Sequence, residues 1–217
     1  MSGARNLHPA YFALVMSTGI ISIAFKNLNR ETIAAALFGF NIAFYVVLLT
    51  LLVIRVVFFR KAFIADIKHP ARCWGFFTFV VGSNTLGVQC KLFGFALLAE
   101  ILWIVGLVCW IGFMYTIYVQ RIVGNKPNGE KTDRDKPGGE KPGIGKTVSG
   151  ATLLTVVSTQ SVAVLGNLIA PAYGIMAVFI SWAFWAAGFI LYVVLIVLVA
   201  YRLLFSPVTP SDWNGTY

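Results

Sequence analysis

Charge is scarce in this sequence. Only 12% of its 217 residues are Asp, Glu, Lys or Arg, whereas soluble globular domains carry about 25%. Hydrophobic residues make up 59% of the chain, which is more apolar side chain than the interior of a soluble domain of this size can bury. The two proportions exclude a soluble domain and a disordered chain. They indicate an integral membrane protein.

Cysteine is also scarce. The chain has three, Cys73, Cys90 and Cys109, which are too few for a disulfide framework and lack the spacing of metal ligands. Each lies in an apolar stretch, where a free cysteine behaves as a small hydrophobic residue. We therefore expect buried thiols, no metal site and no cofactor.

Long apolar runs are the main feature of the sequence. Six segments are long enough to cross the roughly 30 Å of hydrocarbon core, which takes about 17–25 helical residues. They lie near residues 9–25, 33–54, 73–90, 93–119, 148–170 and 174–201. The first is not a cleaved signal peptide, because it ends in Phe25-Lys26 without a small-residue cleavage site. The pattern predicts one all-α transmembrane domain over residues 1–217, built as three helical hairpins.

The few charges are mostly basic, with 17 Lys and Arg against 8 Asp and Glu, a formal net charge of +9. Such a surplus can mark a nucleic-acid-binding surface or orient membrane spans. All the basic residues lie on one side of the predicted topology except Lys26, Arg30 and Lys91. The positive-inside rule then places both termini and both long loops in the cytoplasm, for a multi-pass protein of the plasma membrane. Membrane topology therefore explains the surplus of basic residues, and we expect no nucleic-acid partner.

Residues 124–147 form a low-complexity segment within the second long loop. Pro, Gly and alternating charges repeat in residues 126–131 and 136–141, a composition typical of a flexible linker. Gly145-Lys146-Thr147 looks like the end of a phosphate-binding loop, but Glu140 stands where that motif needs Gly. The sequence therefore predicts a flexible cytoplasmic linker without a nucleotide site.

Polar residues inside the segments gather on the odd-numbered ones. A helix advances about 100° per residue, and on that basis small and hydroxyl residues share one face of segments one, three and five. Segments two, four and six are almost uniformly apolar. The members of the three stripes that we predict to line a substrate path are Thr18, Gly19, Ser22, Thr78, Gly82, Thr85, Gln89, Thr152, Thr155, Thr159 and Gly166.

Two interpretations of these stripes stay open. Small and hydroxyl residues are enriched where membrane helices pack closely. The same residues could instead line a pore, whose uncharged wall would bind ions weakly enough to release them. The alternation between polar odd and apolar even segments favours the pore.

Three of the segments resemble helices of the tellurite-resistance/dicarboxylate transporter family, which includes plant slow anion channels, yeast malate permeases and sulfite efflux pumps. The resemblance lies in residues 11–20, 75–89 and 160–166. It implies a ten-helix fold of five hairpins around a quasi-fivefold axis, with odd-numbered helices lining the pore. It also implies a homotrimer that carries small anions, such as malate and other C4-dicarboxylates, sulfite, chloride or nitrate, or that supports tellurite resistance.

The chain departs from that family pattern in two places. Ser17 stands where a Gly is common in the first motif. The sequence also stops about where the seventh helix should begin, so the resemblance covers the N-terminal six of ten helices. The family's occluding Phe belongs to the ninth helix, and no residue here can take its role.

Two ionisable residues are candidates for a proton-linked role. Glu100 is the one formal charge within the six segments, and an intramembrane carboxylate is a functional candidate by default. It could couple transport to protons, or form an interfacial ion pair with Lys91. His8, beside Pro9, could sense pH at a cytoplasmic mouth or simply begin the first helix.

We therefore expect a channel or carrier for small anions, with the lipid bilayer and an anionic substrate as its partners. A non-transporting membrane subunit or scaffold that requires a partner half stays open as the alternative. An enzyme is not expected, because the apolar segments offer no base to activate a Ser or Cys nucleophile.

Overall fold

A computed structural model describes residues 7–69, 72–123 and 150–205, and these residues form helices and turns without a strand. The linker predicted over residues 124–147 lies outside the described residues. Seven α-helices occupy the described ranges. They are α1 (Ala13–Asn27), α2 (Glu31–Phe58), α3 (Arg60–Lys68), α4 (Phe77–Leu92), α5 (Ala96–Val123), α6 (Leu154–Ile169) and α7 (Ile175–Phe205). Short 3₁₀ turns precede α1, α4 and α6 at Pro9–Phe12, Cys73–Phe76 and Gly150–Leu153.

The helices pair as three hairpins, α1 with α2, α4 with α5, and α6 with α7. Each hairpin turns through a residue with a left-handed backbone: Asn29 at φ 56°, Gly94 at φ 89° and Gly174 at φ 86°. Glycine adopts this conformation without steric cost and asparagine tolerates it better than most residues. The predicted all-α fold with three hairpins is confirmed.

Five helical segments among the described residues are long and apolar enough to cross a membrane. They are Pro9–Asn27, Glu31–Phe58, Ala96–Gln120, Gly150–Ala172 and Ile175–Arg202. The predicted third segment is helical but is not one of these five. Every residue from 73 to 90 is buried, because α4 packs against α1, α5 and α6. A helix enclosed by other helices can carry polar residues that a lipid-facing helix cannot.

The outer helices have the opposite character. Helices α2, α5 and α7 expose large apolar side chains along most of their length, including Phe40, Val108 and Phe179. Such a surface suits hydrocarbon rather than water. Cys73 and Cys90 are buried as predicted, whereas Cys109 on α5 is partly exposed.

Candidate functional site

The polar stripe of the third segment lies against α1 and the turn before it. A Cβ atom added at Gly75 would lie 2.9 Å from the backbone nitrogen of Ala10, and one at Gly82 would lie 3.3 Å from the carbonyl oxygen of Phe12. Thr78 donates a 2.7 Å hydrogen bond to the carbonyl of Gly75. Here the small residues let two backbones approach closely, as in other membrane helix contacts.

An amide pair, Asn41 on α2 and Gln89 on α4, closes the other end of this contact. The Asn41 side-chain nitrogen donates to the Gln89 side-chain oxygen, and both residues are fully buried. A Cβ atom added at Gly19 would lie 2.6 Å from Thr85 and 2.9 Å from the Asn41 amide. The pair is therefore packed between α1, α2 and α4.

The amide pair is only partly satisfied. The Oδ1 atom of Asn41 and the Nε2 atom of Gln89 have no hydrogen-bond partner among the described residues. An unpaired buried polar group costs about 1–3 kcal/mol, so Gln89 keeps a hydrogen-bond donor available in the bundle. Sequence reasoning placed Gln89 in the predicted path but treated Asn41 as an isolated interruption of an apolar span. A lone Asn in an apolar span is itself a signal, because such side chains bond across helices.

Two residues in the stripe of the fifth segment, Thr159 and Gly166, contact the outer helices. Thr155 and Thr159 each donate to a backbone carbonyl one turn earlier, at 2.7 and 2.8 Å. Trp110 on α5 donates a 3.0 Å bond to the Thr159 hydroxyl. A Cβ atom added at Gly166 would lie 2.7 Å from the hydroxyl of Ser181 on α7. Thr159 and Gly166 therefore pack against α5 and α7.

The structure brings together some of the predicted lining residues and separates others. Gly19, Thr85 and Gln89 meet between α1 and α4. Ser22 instead bonds the carbonyl of Ala34 on α2 at 2.8 Å. Thr18 is partly exposed, and the remaining residues of the three predicted stripes are buried. These contacts match the close-packing interpretation of the stripes, and their part in a substrate path stays a prediction.

A charged cluster joins the end of α2 to α3 and the following turn. The Asp66 carboxylate pairs with Arg55 and, at 2.8 Å, with Arg72. The side chains of Arg55 and Asp66 are 3% and 5% exposed, and that of Arg72 is 40% exposed. Sequence analysis assigned these arginines to topology and did not foresee Asp66 as their shared partner. The available signal was a single acidic residue in a loop that carries five basic ones.

His8 lies close enough to this cluster for the charges of Arg72 and Asp66 to act on its imidazole. Its Nδ1 accepts a 3.2 Å hydrogen bond from the backbone nitrogen of Ala10 and so caps the first helical turn. Burial, followed by the positive charge of Arg72, lowers the pKa of His8 below 6.5, and Asp66 opposes this shift only in part. The imidazole is therefore neutral at pH 7. This geometry supports the helix-start interpretation of His8, and its role as a pH sensor stays a prediction.

Glu100 is the other candidate for a proton-linked role. The ion pairs among the described residues join Lys26 to Glu31 and Asp66 to its two arginines. A pair between Glu100 and Lys91 is not among them, and a proton-linked role for Glu100 stays a prediction. Tyr173, in the turn between α6 and α7, lines the same cavity as Glu100. Hydrogen bonding to Glu100 raises the pKa of Tyr173 above its usual 10.0.

The described part of the chain holds no group of three or more His, Cys, Asp or Glu that could bind a metal ion.

The sequence model of the voltage-dependent anion channel family, SLAC1, matches residues 6–216. The chain belongs to the SLAC1 family. The family assignment made from the three motifs is thereby confirmed, since the tellurite-resistance/dicarboxylate transporters and this family are the same group. No solved structure matches this SLAC1-family chain significantly.

Curated relatives of this SLAC1-family chain are transporters. An uncharacterized transporter of Methanocaldococcus jannaschii is 29% identical over 222 residues, which cover 98% of this chain and 60% of the relative. The sulfite efflux pump SSU1 of Arthroderma otae is 24% identical over 223 residues, covering 94% of this chain and 55% of the pump. The SSU1 pump of Trichophyton rubrum is 32% identical over 93 residues. The chain thus spans less than two thirds of the length of the longer matches.

Proposed function

We propose that this chain contributes to a channel or carrier for small anions, as a homotrimer in the plasma membrane with both termini in the cytoplasm. The observation that carries the proposal is the match of the anion-channel family over residues 6–216. Sulfite is the substrate we favour, because two of the relatives named above are sulfite efflux pumps. Chloride, nitrate and malate are the other candidates.

The chemistry of the interior suits an anion that must be released quickly. Helix α4, the most enclosed helix, offers hydroxyls and amides and no formal charge between Phe77 and Cys90. A wall of weak donors holds an anion loosely, and loose binding is what conduction requires. We propose that the free donor of Gln89 meets the anion and that Thr85 and Gly19 flank it. The eleven predicted lining residues remain our proposal for the path as a whole.

Access to Gln89 requires a change at the contact between α1 and α4. The amide pair is fully buried there, so an anion reaches the Gln89 nitrogen only after these helices separate. A gated passage of this kind would keep the path closed at rest. The proposal therefore includes movement of α1 relative to α4 during transport.

A second candidate is a membrane subunit that transports only with a partner half. The chain spans 60% and 55% of the lengths of two transporter relatives. In this case the chain would fold and insert but carry no flux alone.

Reconstitution separates the two candidates. The purified full chain is placed in liposomes loaded with sulfite, chloride or malate, and efflux is followed with ion-specific probes. Efflux above that of empty liposomes supports the transporter. Absence of efflux, with its appearance when a C-terminal half from a full-length relative is co-expressed, supports the subunit. A folded protein without flux under either condition contradicts both.

A further inference from the structure

A cavity of about 240 Å³ opens between α5, α6 and α7 near the start of α5. Most of its wall is apolar, with Ile104, Ile169 and Ile180 among the contributors. Sites for drug-sized ligands occupy about 300–1,000 Å³, so this cavity admits one small group and the beginning of a chain. Its position at a helix end places it where headgroups meet hydrocarbon.

One acidic group stands in this apolar wall. Glu100 is the one formally charged residue among those that line the cavity, and Tyr173 lines the same wall. The other polar groups are already engaged. Ser181 donates a 3.0 Å bond to a carbonyl of its own helix, and Trp103 donates a 3.0 Å bond to a carbonyl of α6. The wall thus presents an acceptor rather than donors.

Glu100 has no cationic partner in the described part of the chain, where the three ion pairs involve other carboxylates. A carboxylate at the edge of the hydrocarbon without a counter-charge is costly. A cation that entered the cavity would relieve this cost. Trp103 and Tyr173 also line the cavity, and aromatic rings attract ammonium groups.

We propose that this cavity binds a primary ammonium group carried on an aliphatic chain. The ammonium donates to the Glu100 carboxylate beside the two aromatic rings, and the chain lies along Ile104 and Ile180. Phosphatidylethanolamine and simple alkylamines both present this chemistry. The site lies apart from the α1–α4 contact and does not depend on the proposed transport.

Lipid retention tests the site directly. The full chain is reconstituted in phosphatidylcholine nanodiscs that contain equal fractions of phosphatidylethanolamine and phosphatidylglycerol, and the lipids kept after mild delipidation are counted by native mass spectrometry. We expect selective retention of phosphatidylethanolamine. Glu100→Gln keeps the side-chain shape and should lower that retention about tenfold, the effect of one charge-assisted hydrogen bond.

Two further variants make the test specific. Glu31→Gln is the matched control, because it removes a carboxylate that pairs with Lys26 at an exposed turn, and it should retain the lipid like the wild type. Ala177→Leu fills the cavity but keeps the carboxylate, and it should lose the lipid.

Octylammonium distinguishes the two sources of the ligand. If it displaces phosphatidylethanolamine where octanol does not, the site accepts any primary alkylammonium. If neither displaces the lipid while retention still depends on Glu100, the site requires the lipid itself. Equal retention of phosphatidylglycerol, or undiminished retention by Glu100→Gln or Ala177→Leu, overturns the proposal.

Discussion

Asp66 is the residue whose removal we expect to destabilise the protein most clearly. Its carboxylate neutralises Arg55, which is 3% exposed, and also bonds Arg72, whose side chain is 40% exposed. Asp66→Asn keeps the shape of the side chain but leaves the Arg55 charge buried without compensation. Breaking a buried ion pair in this way costs about 3–5 kcal/mol. The Arg72 side chain keeps contact with water, where an ion pair contributes about 1 kcal/mol, and this smaller value sets the expectation for Arg72→Gln.

The comparison of these two variants can be made in mixed micelles of dodecyl maltoside and increasing SDS, with helicity followed by circular dichroism. Arg72→Gln is the matched control because it removes the other partner of the same carboxylate. The double change of Arg55→Met with Asp66→Leu removes both charges and should recover most of the lost free energy of unfolding. If Asp66→Asn unfolds at the same SDS fraction as Arg72→Gln, the buried pair does not hold α3 against α2 and the reasoning is refuted.

Three further predictions concern the site. Gly19→Val should destabilise the α1–α4 contact, because even a Cβ atom at this position would lie 2.6 Å from Thr85. Gly112→Ala is the control, since a Cβ atom there would meet no atom within 4 Å. Equal unfolding midpoints of the two variants in the SDS titration would count against close packing. Gln89→Leu should slow anion efflux about tenfold, since it removes one hydrogen-bond donor to a charged group. Thr50→Val, on the exposed face of α2, is the control and should leave efflux unchanged. Unchanged efflux in Gln89→Leu would exclude Gln89 from the path. Because the folded-state pKa of His8 is lowered, its contribution to stability is full above about pH 6.5 and is lost as the pH falls. His8→Gln should flatten that pH dependence of the unfolding midpoint, and an unaltered dependence would exclude His8 as its source.

The helices and their hairpin connections depend on short stretches of sequence, and both could be predicted from the sequence. Apolar runs predicted the helices, and the short gaps between them predicted the hairpins, whose turns the structure places at Asn29, Gly94 and Gly174. The third segment was also found, although its polar residues make it the least apolar. Its complete burial could not be read from hydropathy, because hydropathy records what a helix contains and not which helices surround it.

The partners of individual side chains were harder to predict. Asn41 looked like an isolated interruption of an apolar helix, and the structure pairs it with Gln89 across 48 positions of sequence. Lys91 and Glu100 are near in sequence, yet the ion pairs of the described residues do not join them, and Glu100 lines a cavity with Tyr173. Helical periodicity tells which residues share a face, but the neighbour of that face depends on how all the helices pack.

The central claim, anion transport, is tested most directly by ion selectivity. The reconstituted full chain is placed under a tenfold KCl gradient, and the voltage of zero current is measured. An anion pathway predicts a reversal potential that approaches the chloride equilibrium value, about 59 mV in magnitude for a monovalent ion. A reversal potential of the opposite sign, near the potassium equilibrium value, would contradict the account.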